Sequence, residues 1–179
     1  MSMVSDELLE ALDETGRHLG LVSRGRVHAE GLWHRAAHVW LFDAEGGIYI
    51  QRRSVTKDLN PDRWDVSVGE HLQPGEDYAD AAERGLREEL GLSGCRLTPI
   101  GGARGVCVDH PALGIHDREF QQAFMALAPS VPEPDSREVA AVELVAAESL
   151  RRWLRASPEA FTPGLHRDVA DLAVLSEAP

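Results

Sequence analysis

The chain has 179 residues, 43% of them hydrophobic, which excludes a disordered or fibrous protein and suits one domain of ordinary size spanning residues 1–179. Its formal net charge of −12 argues against general nucleic-acid binding and against anionic membranes, both of which need clustered Lys and Arg. No apolar run approaches the roughly 20 residues needed to cross a bilayer, and the acidic start from Met1 to Leu12 lacks the basic region of a signal peptide, so the cytoplasm is the expected compartment.

In chain order, Leu8 to Val22 reads as a hairpin around the Asp13–Gly16 turn. Ala36 to Phe42 and Ile48 to Ile50 flank the Asp43–Gly47 turn and predict a second hairpin. Trp64 to Val68 predicts a short strand, and Gly69 to Glu76 a loop. Tyr78 to Leu90 predicts a helix stopped by Gly91. Strands are expected at Arg104 to Val108, Phe120 to Ala128 and Val139 to Val145, with a proline-rich loop over Pro129 to Asp135. Helices are expected at Ala147 to Arg155 and Pro163 to Leu175. Strands first, then a helix, then a mixture, imply an α/β fold with a mixed sheet between helices.

The helix over 78–90 carries the chemistry. Each residue advances about 100° around the axis, so Ala79, Ala82, Leu86 and Leu90 form one buried stripe. Glu88 and Glu89 then share a flank, with Gly85 between them in angle and one turn earlier. Paired carboxylates beside a glycine-bearing loop suit a hard cation such as Mg²⁺ or Mn²⁺. By itself this pattern is also that of an ordinary solvated helix face.

The run GEHLQPGEDYADAAERGLREELGL from Gly69 to Leu92 resembles the Nudix box. Glu76, Arg84, Leu86, Glu88, Glu89, Gly91 and Leu92 match its spacing. The resemblance implies the Nudix fold, metal on Glu88 and Glu89, and a Glu76–Arg84 pair that holds loop to helix. Two positions depart: Glu70 stands where the box has its first glycine, and Gly85 where it has the glutamate that often binds metal or acts as base. A carboxylate restored at position 85 is expected to join the cluster and to raise activity.

Outside the box the chain is similar to the branch of the family that resembles isopentenyl-diphosphate isomerase, through Trp33–Ala36, Gln51–Arg53, Lys57, Pro61, Trp64, Ser67–Val68 and Phe161–Pro163. That resemblance implies a second metal site, for Zn²⁺ or Mn²⁺, at His28, His34, His71 and Glu119. It places the isomerase's catalytic cysteine at Gly69 and its second acid at Gln121, neither able to move a proton. It offers Arg53 and Lys57 as diphosphate-binding groups, with Arg24 a weaker candidate. His28, His34 and His71 are alternatively three hydrogen-bonded histidines near a pocket, and Glu119 an edge-strand charge. His38 is expected to line core or pocket. Glu138 and Glu143 read as solvent-facing charges, and Cys95 and Cys107 as structural, having no neighbouring base. His18, His110, His116 and His166 have no partner legible in the sequence.

The expected function is therefore divalent-metal-dependent hydrolysis of a diphosphate bond in a nucleoside-diphosphate-linked or related small molecule. Glu88, Glu89 and Glu119 are the catalytic candidates, and Arg53 and Lys57 the substrate-binding ones. The alternative is a scaffold that binds a diphosphate ligand with little or no catalysis; isomerase chemistry is not expected. No nucleic acid or membrane partner is expected, and the family resemblance is compatible with a homodimer.

Overall fold

The computed structural model describes residues 7–172. A hairpin of β1 (Leu8–Leu12) and β2 (His18–Ser23) leads into a short helix, α1 (Arg24–Glu30), which ends where Gly31 takes the left-handed conformation. Then come β3 (His34–Phe42), β4 (Ile48–Arg53), β5 (Trp64–Asp65), β6 (Val68–His71) and α2 (Tyr78–Leu90). The long strands β7 (Leu97–His110) and β8 (Ile115–Leu127) follow, then β9 (Val139–Val145), α3 (Ala147–Ala156) and α4 (Pro163–Leu172).

Seven strands make one mixed sheet, with the path β5–β4–β3–β8–β7, β6 added to β3 and β9 to β4. The β3–β8 pairing is parallel and the other pairings are antiparallel. β3 is central and covered on both faces, so it reads as a nearly continuous apolar run. Its alternate residues divide between two cores: Ala37, Val39 and Leu41 pack with Leu86 and Leu90 of α2, while Trp40 and Phe42 pack with Leu150 of α3 and Leu165 of α4. The sheet is thus sandwiched between helices, the expected α/β architecture.

Several boundaries differ from the sequence reading. The expected strand at Trp64 to Val68 splits, and Gly69 to His71, expected in a loop, lie in β6 because Ala36–Val39 of β3 offers them an antiparallel edge. β7 extends well upstream of Arg104 through an irregularity between Ile100 and Arg104 that absorbs two glycines. α1 was not anticipated, being too short and too charged for a periodic signal. The last helix was expected to reach Leu175; residues 173–175 lie outside the described residues.

α2 starts on a reciprocal cap. The Asp77 side chain accepts from the Asp80 backbone N–H at 2.9 Å, and the Asp77 N–H donates to the Asp80 side chain at 3.3 Å. At its far end the proline-rich loop donates Glu133 N–H to Leu90 C=O and Asp135 N–H to Glu89 C=O, at 2.9 and 3.0 Å, satisfying carbonyls the helix leaves open. Among the described residues no helix is long and apolar enough to cross a membrane.

Candidate active site

A cavity of about 810 Å³ opens where β6, α2, β8 and the segment after β4 meet. Three sets of side chains face it.

The first set belongs to α2. Arg84 donates to Glu76 at 2.9 and 3.0 Å, to the His71 carbonyl at 2.7 Å and to Glu70 at 2.8 Å, and Glu88 lies 3.6 Å from it. One guanidinium thus gathers loop, strand and helix carboxylates, and these partners raise its pKa although burial opposes them. Glu88 and Glu89 share the flank, but unequally. Glu88 is exposed, whereas Glu89 is 4% exposed and accepts from the Gln51 amide at 2.7 Å. Burial pushes the Glu89 carboxyl up to about 8, with the charge of Glu70 adding to it and Lys57, Gln51 and Arg53 opposing. The buried face of α2 is wider than the apolar stripe, since Arg84, Gly85 and Glu89 are buried with Leu86 while Ala79 is only half-buried.

The expectation that a glutamate at position 85 would join the cluster does not survive the geometry. A Cβ on Gly85 would stand 2.6 Å from Glu70 Cγ and closer still to Val68 Cγ1. β6 packs directly on the helix backbone there, so the position has no room for a side chain.

The second set is basic. Arg53 donates to Asp65 at 3.2 Å and to the Leu59 carbonyl at 3.1 Å, Lys57 is ion-paired with Glu138, and Arg24 donates to Asp58 at 2.5 Å. All three cations line the cavity, each held by a carboxylate. Glu138 and Glu143 are both exposed, as expected, and Glu138 in addition pairs with Lys57.

The third set is histidine-rich. His28 comes from α1, His34 from the start of β3 and His71 from the end of β6. The parallel register sets Glu119 opposite His34, and the antiparallel register sets Ala36 opposite His71, so the strand pairings draw these groups together. The three ring centroids lie 4.8–5.5 Å apart. Ligand atoms of His28, His34 and His71 lie within 4.8 Å of one another, as do those of His34, Asp117 and Glu119. Glu119 is 3.5 Å from His71 and 3.8 Å from His34, and Asp117 is 3.6 Å from His34.

Asp117 has no place in the sequence reading, and Gln121, at the isomerase's second-acid position, is as expected no acid. Period-two spacing on β8 puts Asp117 and Glu119 on one face, a signal that was available once that strand was extended upstream of Phe120. Gln121 is instead a hydrogen-bonding linker: its carbonyl accepts from Arg104 at 2.8 Å, and its amide nitrogen lies 3.0 Å from His38 Nε2.

His28 Nε2, His34 Nε2 and Asp117 Oδ1 are buried and have no hydrogen-bond partner. Burial and the neighbouring histidines hold His28 down at about 3 and His34 down at about 4, so both are neutral and carry free lone pairs. Glu119 falls to about 2, because hydrogen bonding to His71 and the charges of His71 and His38 outweigh burial, while burial and Glu119 push Asp117 up to about 7. Neutral imidazoles, an ionised carboxylate and unsatisfied buried atoms make a donor set that fits a divalent transition metal.

His38 lines the cavity beside these groups, as expected. Its Nδ1 lies 2.9 Å from Asp168, which also accepts from Trp40 at 3.0 Å. Burial lowers its pKa, but Asp168 and other carboxylates prevail and raise it to about 9. Among the histidines with no foreseen partner, His116 meets Asp109 at 2.8 Å and His166 meets the Pro158 carbonyl at 2.8 Å. Cys95 is buried in the core; Cys107 is exposed, so packing does not explain it.

The NUDIX domain family model matches residues 32–165, which contain β3 to the start of α4 and all of the α2 set. The chain belongs to the Nudix family. It is 39% identical over 144 residues to an isopentenyl-diphosphate Delta-isomerase of Streptomyces griseus, an alignment covering 80% of this chain and 73% of that one. An uncharacterized Nudix hydrolase of Streptomyces coelicolor is 44% identical over 90 residues, half of each chain. A Deinococcus radiodurans crystal structure superposes with a TM-score of 0.74 at 24% identity, over 93% of this chain and 99% of that one. The Nudix assignment and the hydrolase class that goes with it agree with the loop–helix signature of Gly69 to Leu92.

Proposed function

We propose that the chain is a divalent-metal-dependent hydrolase that cleaves a diphosphate bond in a small molecule, such as a nucleoside diphosphate linked to another group. The observation that carries this reading is that the α2 carboxylates Glu88 and Glu89 and the cations Arg53, Lys57 and Arg24 line one cavity. In a chain of net charge −12, cations that can leave their carboxylate partners there suit an anionic ligand.

Glu88 and Glu89 are the residues that would hold Mg²⁺ or Mn²⁺, and a bound ion there would neutralise the diphosphate and acidify a water molecule. Burial raises Glu89 to about 8, so it holds a proton at neutral pH, and a cation bound there would displace that proton to solvent. Arg53 and Lys57 would exchange Asp65 and Glu138 for the outer phosphate, stabilising charge as the bond breaks. Glu119 stands with the histidine set, where Zn²⁺ or Mn²⁺ fits the donors.

Isomerisation of an isoprenoid diphosphate needs proton-active groups on opposite faces of a double bond. Gly69 supplies none. The His38 ring lies 3.5 Å from where a Cβ on Gly69 would stand, but its two nitrogens already face Asp168 and Gln121. Hydrolysis is therefore the favoured chemistry, and isopentenyl diphosphate should pass through the purified protein unisomerised.

The test is a panel of nucleoside diphosphate conjugates, nucleoside triphosphates and isoprenoid diphosphates, assayed with Mg²⁺. Release of phosphate or a nucleoside monophosphate is expected, suppressed by EDTA and reduced about 10²–10⁴-fold by Glu89→Gln. Full turnover in EDTA or in that variant would overturn the reading. Tight ligand binding without turnover would favour a non-catalytic diphosphate binder instead.

A further inference from the structure

Two departures from the Nudix box, Glu70 and Gly85, are far apart in sequence and adjacent in space. Glu70 Cβ and Cγ lie 3.6 and 2.6 Å from where a Cβ on Gly85 would stand. The Glu70 side chain therefore runs over Gly85 and, with Val68 Cγ1, takes up the volume a side chain from the helix would use.

The electrostatics make this arrangement expensive without a further cation. Arg84 is one positive charge, and Glu70, Glu76 and Glu88 all lie within 4 Å of it. Glu76 alone already engages Arg84 through two hydrogen bonds. Glu70 is mostly buried, its side chain 17% exposed, and Glu89 is buried in the same cavity wall. Carboxylates crowded this way repel unless a cation lies among them.

We propose that Glu70 is the third carboxylate of the α2 metal site, reaching from β6 across Gly85 to supply the oxygen that the helix itself does not. This rests on the hydrolase reading, in which Glu88 and Glu89 hold the ion. Glu70 and Gly85 are then one exchange and not two losses: the strand took the carboxylate, and the helix gave up its side chain to make room. Glu70 is a metal ligand here, and its bond to Arg84 is the resting position from which it turns to the ion.

The test is calorimetric titration of Mg²⁺ into the full chain after chelator treatment. Mg²⁺ prefers oxygen ligands, so it reports on the carboxylate set and not on the histidines. Glu70→Gln keeps the volume and a hydrogen-bond acceptor for Arg84, so the fold should hold by circular dichroism. It should weaken Mg²⁺ binding at least about tenfold. Gly85→Glu alone should lower the melting temperature, whereas the double exchange Glu70→Gly with Gly85→Glu should recover Mg²⁺ affinity and the part of the stability loss that Glu70 causes, Val68 Cγ1 still pressing on the new side chain. Unchanged affinity in Glu70→Gln beside a large loss in Glu89→Gln would overturn the role of Glu70 and leave the hydrolase reading standing. No Mg²⁺ binding by the parent chain, or none that depends on Glu89, would overturn both. If Glu70→Gln does not fold, the double exchange decides: a folded double variant that binds Mg²⁺ supports the exchange, and a folded one that does not bind refutes it.

Discussion

The histidine set, which reaches the cavity through His71, Asp117 and Glu119, and the α2 carboxylates Glu88 and Glu89 in the same cavity wall stand in opposite electrostatic conditions. Around His28, His34 and Asp117, buried ligand atoms have no partner. Around Glu70, Glu76, Glu88 and Glu89, carboxylate oxygens have partners, in Arg84 and Gln51. Burying an unsatisfied polar atom costs roughly 1–3 kcal/mol, so the histidine set is poised for an ion that stays. The carboxylates have hydrogen-bond or ion-pair partners within the protein, though the one charge of Arg84 does not balance theirs, so an ion there is drawn in but competes with Arg84 and Gln51. One set has the character of a resident metal site, and the other of a site filled with substrate.

The largest effect that can break this contrast is on retained metal. His34→Gln should cut Zn²⁺ affinity by about 100-fold or more, measured by competition with a chromophoric chelator, since loss of a ligand exceeds the 10–100-fold typical of outer-sphere changes. Glu89→Gln should leave Zn²⁺ bound. Equal losses in both variants would merge the two sites into one.

A smaller effect concerns pH. Glu89 titrates near 8 in the fold against an ordinary 4.5, so folding disfavours its ionised form and stability is lost as pH rises from the lower value to the higher. Asp117, raised to about 7, acts in the same direction over its own window. His38 and His71, both raised, also lose their stabilising contribution as pH climbs past 6.5. His28 and His34, lowered to about 3 and about 4, act oppositely and cost stability below 6.5. The chelator-treated chain should therefore melt at lower temperature as pH rises from about 6.5 to about 8.5. Glu89→Gln should make that slope shallower, and Mg²⁺ should stabilise the parent most at the alkaline end. A slope identical in parent and variant would remove Glu89 from the account.

The smallest effect sharpens the role of the cavity's cations. Arg53→Gln should raise KM for the preferred diphosphate about tenfold, the equivalent of one charge-assisted hydrogen bond, with Mg²⁺ affinity unchanged. A loss confined to kcat would place Arg53 in the transition state alone.

Much of this organisation is legible in the residues. The helix from Tyr78 to Leu90, its Gly91 stop and the Glu76–Arg84 spacing follow from periodicity and a fixed motif, because helix contacts are local and repeat every few residues. β9 is likewise found at Val139 to Val145, where a strand is expected. The three histidines could be nominated only by resemblance, since they lie on α1, β3 and β6 and meet through sheet register. Asp117 was passed over because β8 begins earlier than its apolar run suggests.

Glu70 and Gly85 mark the boundary most clearly. The sequence by itself determined the fold type, the metal-suited helix and the two anomalous positions, because each is a matter of local pattern. It represented Gly85 as a missing carboxylate to be restored. Only the packing of β6 against α2 decided that position 85 has no space and that Val68 and Glu70 fill it, because steric exclusion between a strand and a helix fifteen residues apart is a property of three-dimensional contact and leaves no periodic trace in the chain.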